Sequence, residues 1–131
     1  MVRDKIEDEK QHISFVLVHL GKKPIPDYVW DCIRQIRLFN DNPIYLIVNI
    51  YNIGINLPKV LRYKVRLVYA ETLTRSSVHK KYQQNTSNKW FWRFTTERFF
   101  FVSELMQKRG LCNVLHLEND NLIYCRADDY L

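Results

Sequence analysis

ISFVLVH (residues 13–19) and IYLIVNI (residues 44–50) decide the fold of this chain. Each is a continuous apolar run of strand length, rich in β-branched residues, as expected of a strand buried on both faces. Between them, Gly21, Pro24 and Pro26 break the chain, and Asp27 stands where it can cap a helix. In that helix Val29, Trp30, Ile33 and Ile36 recur at helical spacing, with Asp31, Arg34 and Arg37 on the solvent side. Asn40-Asp41-Asn42-Pro43 ends it in a turn. Strand, helix and strand joined by short loops form a βαβ unit, which predicts an α/β fold with a mostly parallel central sheet flanked by helices.

Outward from this unit the pattern continues. Gly54 and Pro58 make Tyr51 to Leu61 a loop with room for one helical turn, and Val65 to Tyr69 reads as a short third strand. Thr72 to Gln84 is polar and begins as a helix, and Asn85 to Lys89 is a turn-rich break. Phe91 to Arg109 is the best helix of the second half, with Lys108, Arg109 and Gly110 at its end. LCNVLHL (residues 111–117) is then a buried strand that runs directly into Glu118, Asn119 and Asp120. Residues 1–11 form a charged leader, and residues 12–131 form a single domain, the size expected of 131 residues.

The net charge of +6 favours anionic partners such as phosphorylated small molecules, nucleic acid or acidic membrane surfaces. No basic run exceeds a pair, so no nucleic-acid arm is indicated. A small basic nucleic-acid-binding module stays open as the alternative function, supported by the charge together with eight Tyr, seven Phe and three Trp. Cys32, Cys112 and Cys125 are odd in number and form no C-x-x-C pair, which argues against a disulfide framework or a structural zinc site. Cys32 and Cys112 lie among apolar residues and read as buried thiols in a reducing, cytoplasmic setting. No apolar stretch is as long as a membrane span, although peripheral membrane contact through basic residues is compatible with the composition.

The chemistry concentrates at the end of the last strand. In extended chain Glu118 and Asp120 project to one side, at the carboxyl end of a buried strand, where open α/β sheets bind ligands. Two hard oxygen donors suit Mg²⁺ or Mn²⁺, which complete their shells with water and phosphate. Arg98 shares a helix face with Phe94, Phe101 and Leu105, so it points toward the core or a cleft and requires an anionic partner. The Glu118–Asp120 pair and a nucleotide diphosphate are candidates for that partner, as are Glu97 and Glu104 within the helix. Trp90, Phe91 and Trp92 are core or a base-stacking platform, His19 lies at the carboxyl end of the first strand, and His116 reads as a satisfied buried histidine. There is no P-loop, G-x-G-x-x-G, nucleophile elbow or H-E-x-x-H.

Residues 92–124 (WRFTTERFFFVSELMQKRGLCNVLHLENDNLIY) resemble the segment of GT-A-type glycosyltransferases that leads into their D-x-D motif. The resemblance is to a helix with an aromatic-Arg pattern followed by a strand of the form xVLHLExDxxxY. It implies a UDP- or GDP-sugar donor, a Mn²⁺ or Mg²⁺ cofactor and transfer of the sugar to an acceptor. On that resemblance Glu118 and Asp120 hold the metal, Arg98 and Asn119 reach the donor nucleotide, and His19 and Leu20 lie near its base. The first acid is Glu where the family pattern has Asp. The family's acceptor region follows the motif, and this sequence ends at Leu131. The expectation is therefore a partial GT-A domain, either a donor-binding half or a truncated, non-catalytic transferase fold.

Overall fold

The computed structural model describes residues 12–85 and 90–131, with the side chains of 90–92 left out. The expected leader at residues 1–11 and most of the 85–89 break lie outside the described residues. Four strands, β1 (Ser14–His19), β2 (Ile44–Val48), β3 (Val65–Tyr69) and β4 (Val114–His116), form one sheet in the order β3-β2-β1-β4. Every pairing is parallel. Phe15 registers with Ile44 and with Leu115, and Ile44 in turn with Val65. The α/β architecture read from the sequence is the one observed.

Alternation along the central strands divides the core in two. Phe15, Leu17, Ile44, Leu46 and Val48 face helix α1 (Asp27–Phe39), whose Val29, Trp30, Cys32, Ile33 and Ile36 are all buried. Val16, Val18, Tyr45 and Ile47 face the opposite side, against Phe101, Val102 and Leu105 of helix α4 (Trp90–Arg109). Helix α2 (Leu57–Arg62) joins the first layer through Val60, and helix α3 (Ser77–Asn85) lies against α4. Helices α1 and α2 thus cover one face of the sheet and α4 the other, and strand order reverses between β1 and β4.

Several boundaries moved for identifiable reasons. Asp27 is the first residue of α1, and the cap position is Pro26, which makes no side-chain capping bond. Helix α2 is the predicted single turn lengthened to six residues, because the Asn56 side chain accepts from the Lys59 N–H and Pro58 fits the first turn. The last strand is three residues where seven were expected. Gly110, at φ +64°, ends α4, and the Leu111 N–H reaches back to the Met106 carbonyl in a Schellman-type closure. That closure consumes the first apolar residues of the run before they can join the sheet. Cys112 is exposed, as is Cys125, and of the three thiols only Cys32 is in the core. Among the described residues no helix is long and apolar enough to cross a membrane.

After β4 the chain runs under α1, with Ile123 and Ala127 against its core, to a 3₁₀ turn (Ala127–Tyr130). Asp128 there accepts from the Ile13 N–H (2.9 Å), the Asn42 amide (2.9 Å) and the His12 ring (2.8 Å). Buried Asn40 adds bonds to the Cys125 carbonyl and from the Ala127 N–H.

Candidate functional site

The carboxyl edge of the sheet is braced before any ligand is considered. Gly21, at φ +101°, turns the chain out of β1 and donates to Asn49 Oδ1 at 2.7 Å. Asn49 and the Ile50 N–H both donate to Glu71 beyond β3, at 2.7 and 2.9 Å. Asn52 donates to the Gly21 and Lys23 carbonyls, and His19 Nε2 donates to the same Lys23 carbonyl at 2.8 Å. A Cβ on Gly54 would stand 2.5 Å from Pro24 Cα, so only glycine lets the loops after β1 and β2 meet. Three loops are thereby locked, and His19 is committed to holding one of them.

Beside this locked edge lies the crevice between β1 and β4. Beyond the last ladder pair, Asn119 Nδ2 donates to the Val18 carbonyl at 2.9 Å and the Leu117 N–H to the Val16 carbonyl at 3.2 Å. These bonds carry the β1–β4 junction past the end of the regular strand. Leu115 and Leu117 turn toward α1, so His116 and Glu118, one position out of phase, turn toward α4. There Arg98 donates from Nη2 to Glu118 Oε1 at 2.8 Å, its guanidinium over the Phe99 ring at 4.9 Å. Of the partners the sequence left open for Arg98, Glu118 is the one engaged. Glu97 instead pairs with Arg93, and Glu104 with His79.

Glu118 and Asp120 do not lie two apart on an extended strand, as the sequence reading assumed. β4 ends at His116, and the Asn121 N–H bonds the Glu118 carbonyl at 3.1 Å, closing a turn over residues 118–121. Asp120 sits on the α1 side. Burial pushes the Cys32 thiol up to about 11, and the Asp120 carboxylate adds to that rise. Among the described residues no group of three or more His, Cys, Asp and Glu is arranged to hold a metal. Glu118 and Asp120 are exposed at the turn, and one Glu118 oxygen is already taken by Arg98. As a donor set they suit only an ion that brings its own water and phosphate oxygens.

His116 is the residue whose role the sequence reading missed. Its Nδ1 lies 2.8 Å from the Val16 carbonyl, so Nδ1 carries the proton and donates. Burial holds its pKa below the ordinary histidine value, with the Arg98 charge acting in the same direction against the pull of Val16 and Glu118. The neutral ring therefore presents a bare Nε2. Among the described residues, the buried side-chain polar atoms without a hydrogen-bond partner are His116 Nε2 and Arg98 Nε, one an acceptor and the other a donor. Buried polar atoms normally find partners in protein or ordered water, so both atoms have capacity for a water or a ligand at this crevice. The signal available in sequence was the spacing: His116 is two residues before Glu118 and so on its side of the strand.

Leu20 is partly buried against the α4-side core, next to the close approach of Phe94 to Gly21. The side chains of Trp90, Phe91 and Trp92 lie outside the described residues. No protein-family model matches this chain. No curated protein is similar enough to it to count as a relative.

Proposed function

We propose that the β1–β4 crevice is the donor site of a metal-dependent glycosyltransferase of GT-A type, binding a UDP- or GDP-sugar. The observation that carries this reading is the reversal of strand order between β1 and β4. In open α/β sheets the crevice at such a reversal is where nucleotides bind, at the carboxyl ends of the strands. His19, Leu20, Glu118, Asn119 and Asp120 all fall at that edge, and Arg98 reaches it from α4.

In this reading each group has a task its geometry suits. Arg98 pairs with the donor diphosphate, exchanging Glu118 for phosphate oxygens, which a planar guanidinium can bind bidentately. His116 Nε2 and Arg98 Nε acquire the partners they lack, from the donor or from water it orders. Asn119 and His19 act indirectly: their side-chain nitrogens hold the Val18 and Lys23 carbonyls and fix the two loops that form the walls. Glu118 and Asp120 would hold Mn²⁺ or Mg²⁺ together with the diphosphate, and the bound ion would offset charge building on the departing nucleoside diphosphate.

Calorimetric titration of UDP and GDP, with and without Mn²⁺, tests this on the wild type and on Asp120→Ala. Metal-dependent binding that Asp120→Ala abolishes is the expected result. Binding that is unchanged in Asp120→Ala, or indifferent to metal, defeats the proposal.

A further inference from the structure

The opposite edge of the sheet, where β2 and β3 begin, carries a second feature that the crevice does not use. The C-terminal end of α1 and the α2–β3 turn border a half-open cavity of about 380 Å³ lined by Arg37, Asp41, Arg62, Tyr63 and Lys64. Arg37 is the best anchored of these residues. It donates to the carbonyls of Tyr63 (2.7 Å), Asn42 (2.6 Å), Asn40 (3.3 Å) and Lys64 (3.4 Å), tying the two segments together. Those bonds pair the cap carbonyls of Asn40 and Tyr63 and the loop carbonyls of Asn42 and Lys64, which would otherwise repel an anion. Lys64, at φ +52°, makes the tight turn into β3 that puts it on the rim with Arg62. Both are exposed. Three cations line the cavity against one carboxylate, and the charge of Arg66 also reaches Arg37.

Large aliphatic groups flank these cations in the chain. Leu38 follows Arg37 and is 68% exposed, and Leu61 precedes Arg62 and is 79% exposed. Cations interleaved with exposed aliphatic side chains suit one kind of partner, an anionic bilayer. Phosphate headgroups meet the charges, and the leucines enter the acyl boundary. A nucleic acid is a poorer match. Leucine offers no ring on which a base can stack, and the Tyr63 ring is covered by Arg62 at 5.4 Å.

We infer that this edge is a membrane-contact surface, with the Arg37–Arg62–Lys64 cavity receiving a phosphate-bearing lipid headgroup and Leu38 and Leu61 inserting beside it. The inference is independent of the chemistry at the crevice, and it leaves that crevice facing away from the bilayer, since the two sites lie at opposite ends of a parallel sheet.

Flotation with phosphatidylcholine vesicles, alone or mixed with phosphatidylglycerol, tests it. Wild type is expected to float only with the anionic mixture, and less as salt rises. Arg62→Gln with Lys64→Gly removes two charges at positions that tolerate the change, glycine being favoured at positive φ. It should weaken vesicle affinity by about fivefold per charge. Leu38→Ser with Leu61→Ser should weaken it while keeping the salt dependence. Equal flotation with neutral vesicles, no flotation with either, or wild-type behaviour in either double variant with an unchanged circular dichroism spectrum would overturn the inference. So would tighter binding of a single-stranded RNA oligonucleotide than of anionic vesicles at the same salt.

Discussion

Two polar clusters sit against α4, and they are finished to different degrees. Toward α3, His79 is fully buried, with Nδ1 2.8 Å from Glu104 and Nε2 facing Glu97 at 3.5 Å and the Gln83 amide at 3.3 Å. Glu104 also accepts from the Ser76 N–H at 2.9 Å, Glu97 is bound by Arg93, and the ring stacks on Phe100 with Phe101 edge-on. Toward β4, Arg98 and His116 each keep one buried nitrogen unpaired. A network in which every member is satisfied holds structure together. One that leaves a donor and an acceptor unused beside a topological crevice has capacity for a ligand or an ordered water, which is what the proposed donor site requires. If the proposed function holds, that difference distinguishes a clamp from a site where burial and charge do not, since both clusters contain a histidine, an arginine and glutamate.

His79 carries the largest expected effect of the two clusters. Replacing it with Ala would leave the Glu97 and Glu104 carboxylates buried with fewer partners and open a cavity between Phe100 and Phe101. The expected loss is about 3–5 kcal/mol of unfolding free energy, measured by urea denaturation. A loss under about 1 kcal/mol would mean that the cluster does not clamp α3 to α4.

A third cluster sharpens the contrast, being satisfied but close to solvent. Asp128 is held below the usual carboxylate range: slight burial would raise it, but the Ile13 N–H and the His12 and Asn42 side chains outweigh that effect. A depressed folded value means the contribution is present above the unfolded carboxylate value and lost as pH falls through the folded one. Asp128→Ala should cost about 1–2 kcal/mol near neutral pH. The difference from wild type should shrink on acidification below about pH 4. Thermal melts across that range give the result directly.

What could be read in the sequence follows from what is periodic. β1, α1 and β2 were legible because ISFVLVH, the Val29–Ile36 stripe and IYLIVNI carry strong patterns at matching lengths. β4 was overcalled because LCNVLHL has uniform apolarity, while the Leu111 to Met106 bond that shortens it is a helix-closing contact with no apolar signature. The turn at 118–121 escaped for a related reason: Glu-Asn-Asp-Asn suits both an extended end and a turn, and only the Asn121 to Glu118 bond distinguishes them. Arg98 was legible as a misfit on an apolar face. His79 was not, because its partners Glu97 and Glu104 come from a different helix, the nearer of them beyond any local spacing that could bring them together. Cys112 was misjudged since its neighbours Leu111 and Val114 are apolar, yet the bend there turns the thiol to solvent.

The smallest stability effect and the most telling one belong to Arg98. Its partner Glu118 is 59% exposed, so the ion pair itself contributes under about 1 kcal/mol. Truncation also removes a buried donor that has no partner, which offsets part of even that loss. Arg98→Gln should therefore melt close to wild type while losing more than about tenfold in affinity for a nucleoside diphosphate, the scale of one charged hydrogen bond. His116 supplies the matching pH test. Its folded value lies below that of a free histidine, so its neutral ring favours the folded state fully above about pH 6.5, and the benefit fades as pH drops through the folded value. A His116→Gln variant should flatten that decline. If Arg98→Gln instead unfolded the chain as severely as His79→Ala, the Arg98–Glu118 pair would be a second clamp, and the unpaired nitrogens would no longer mark a site.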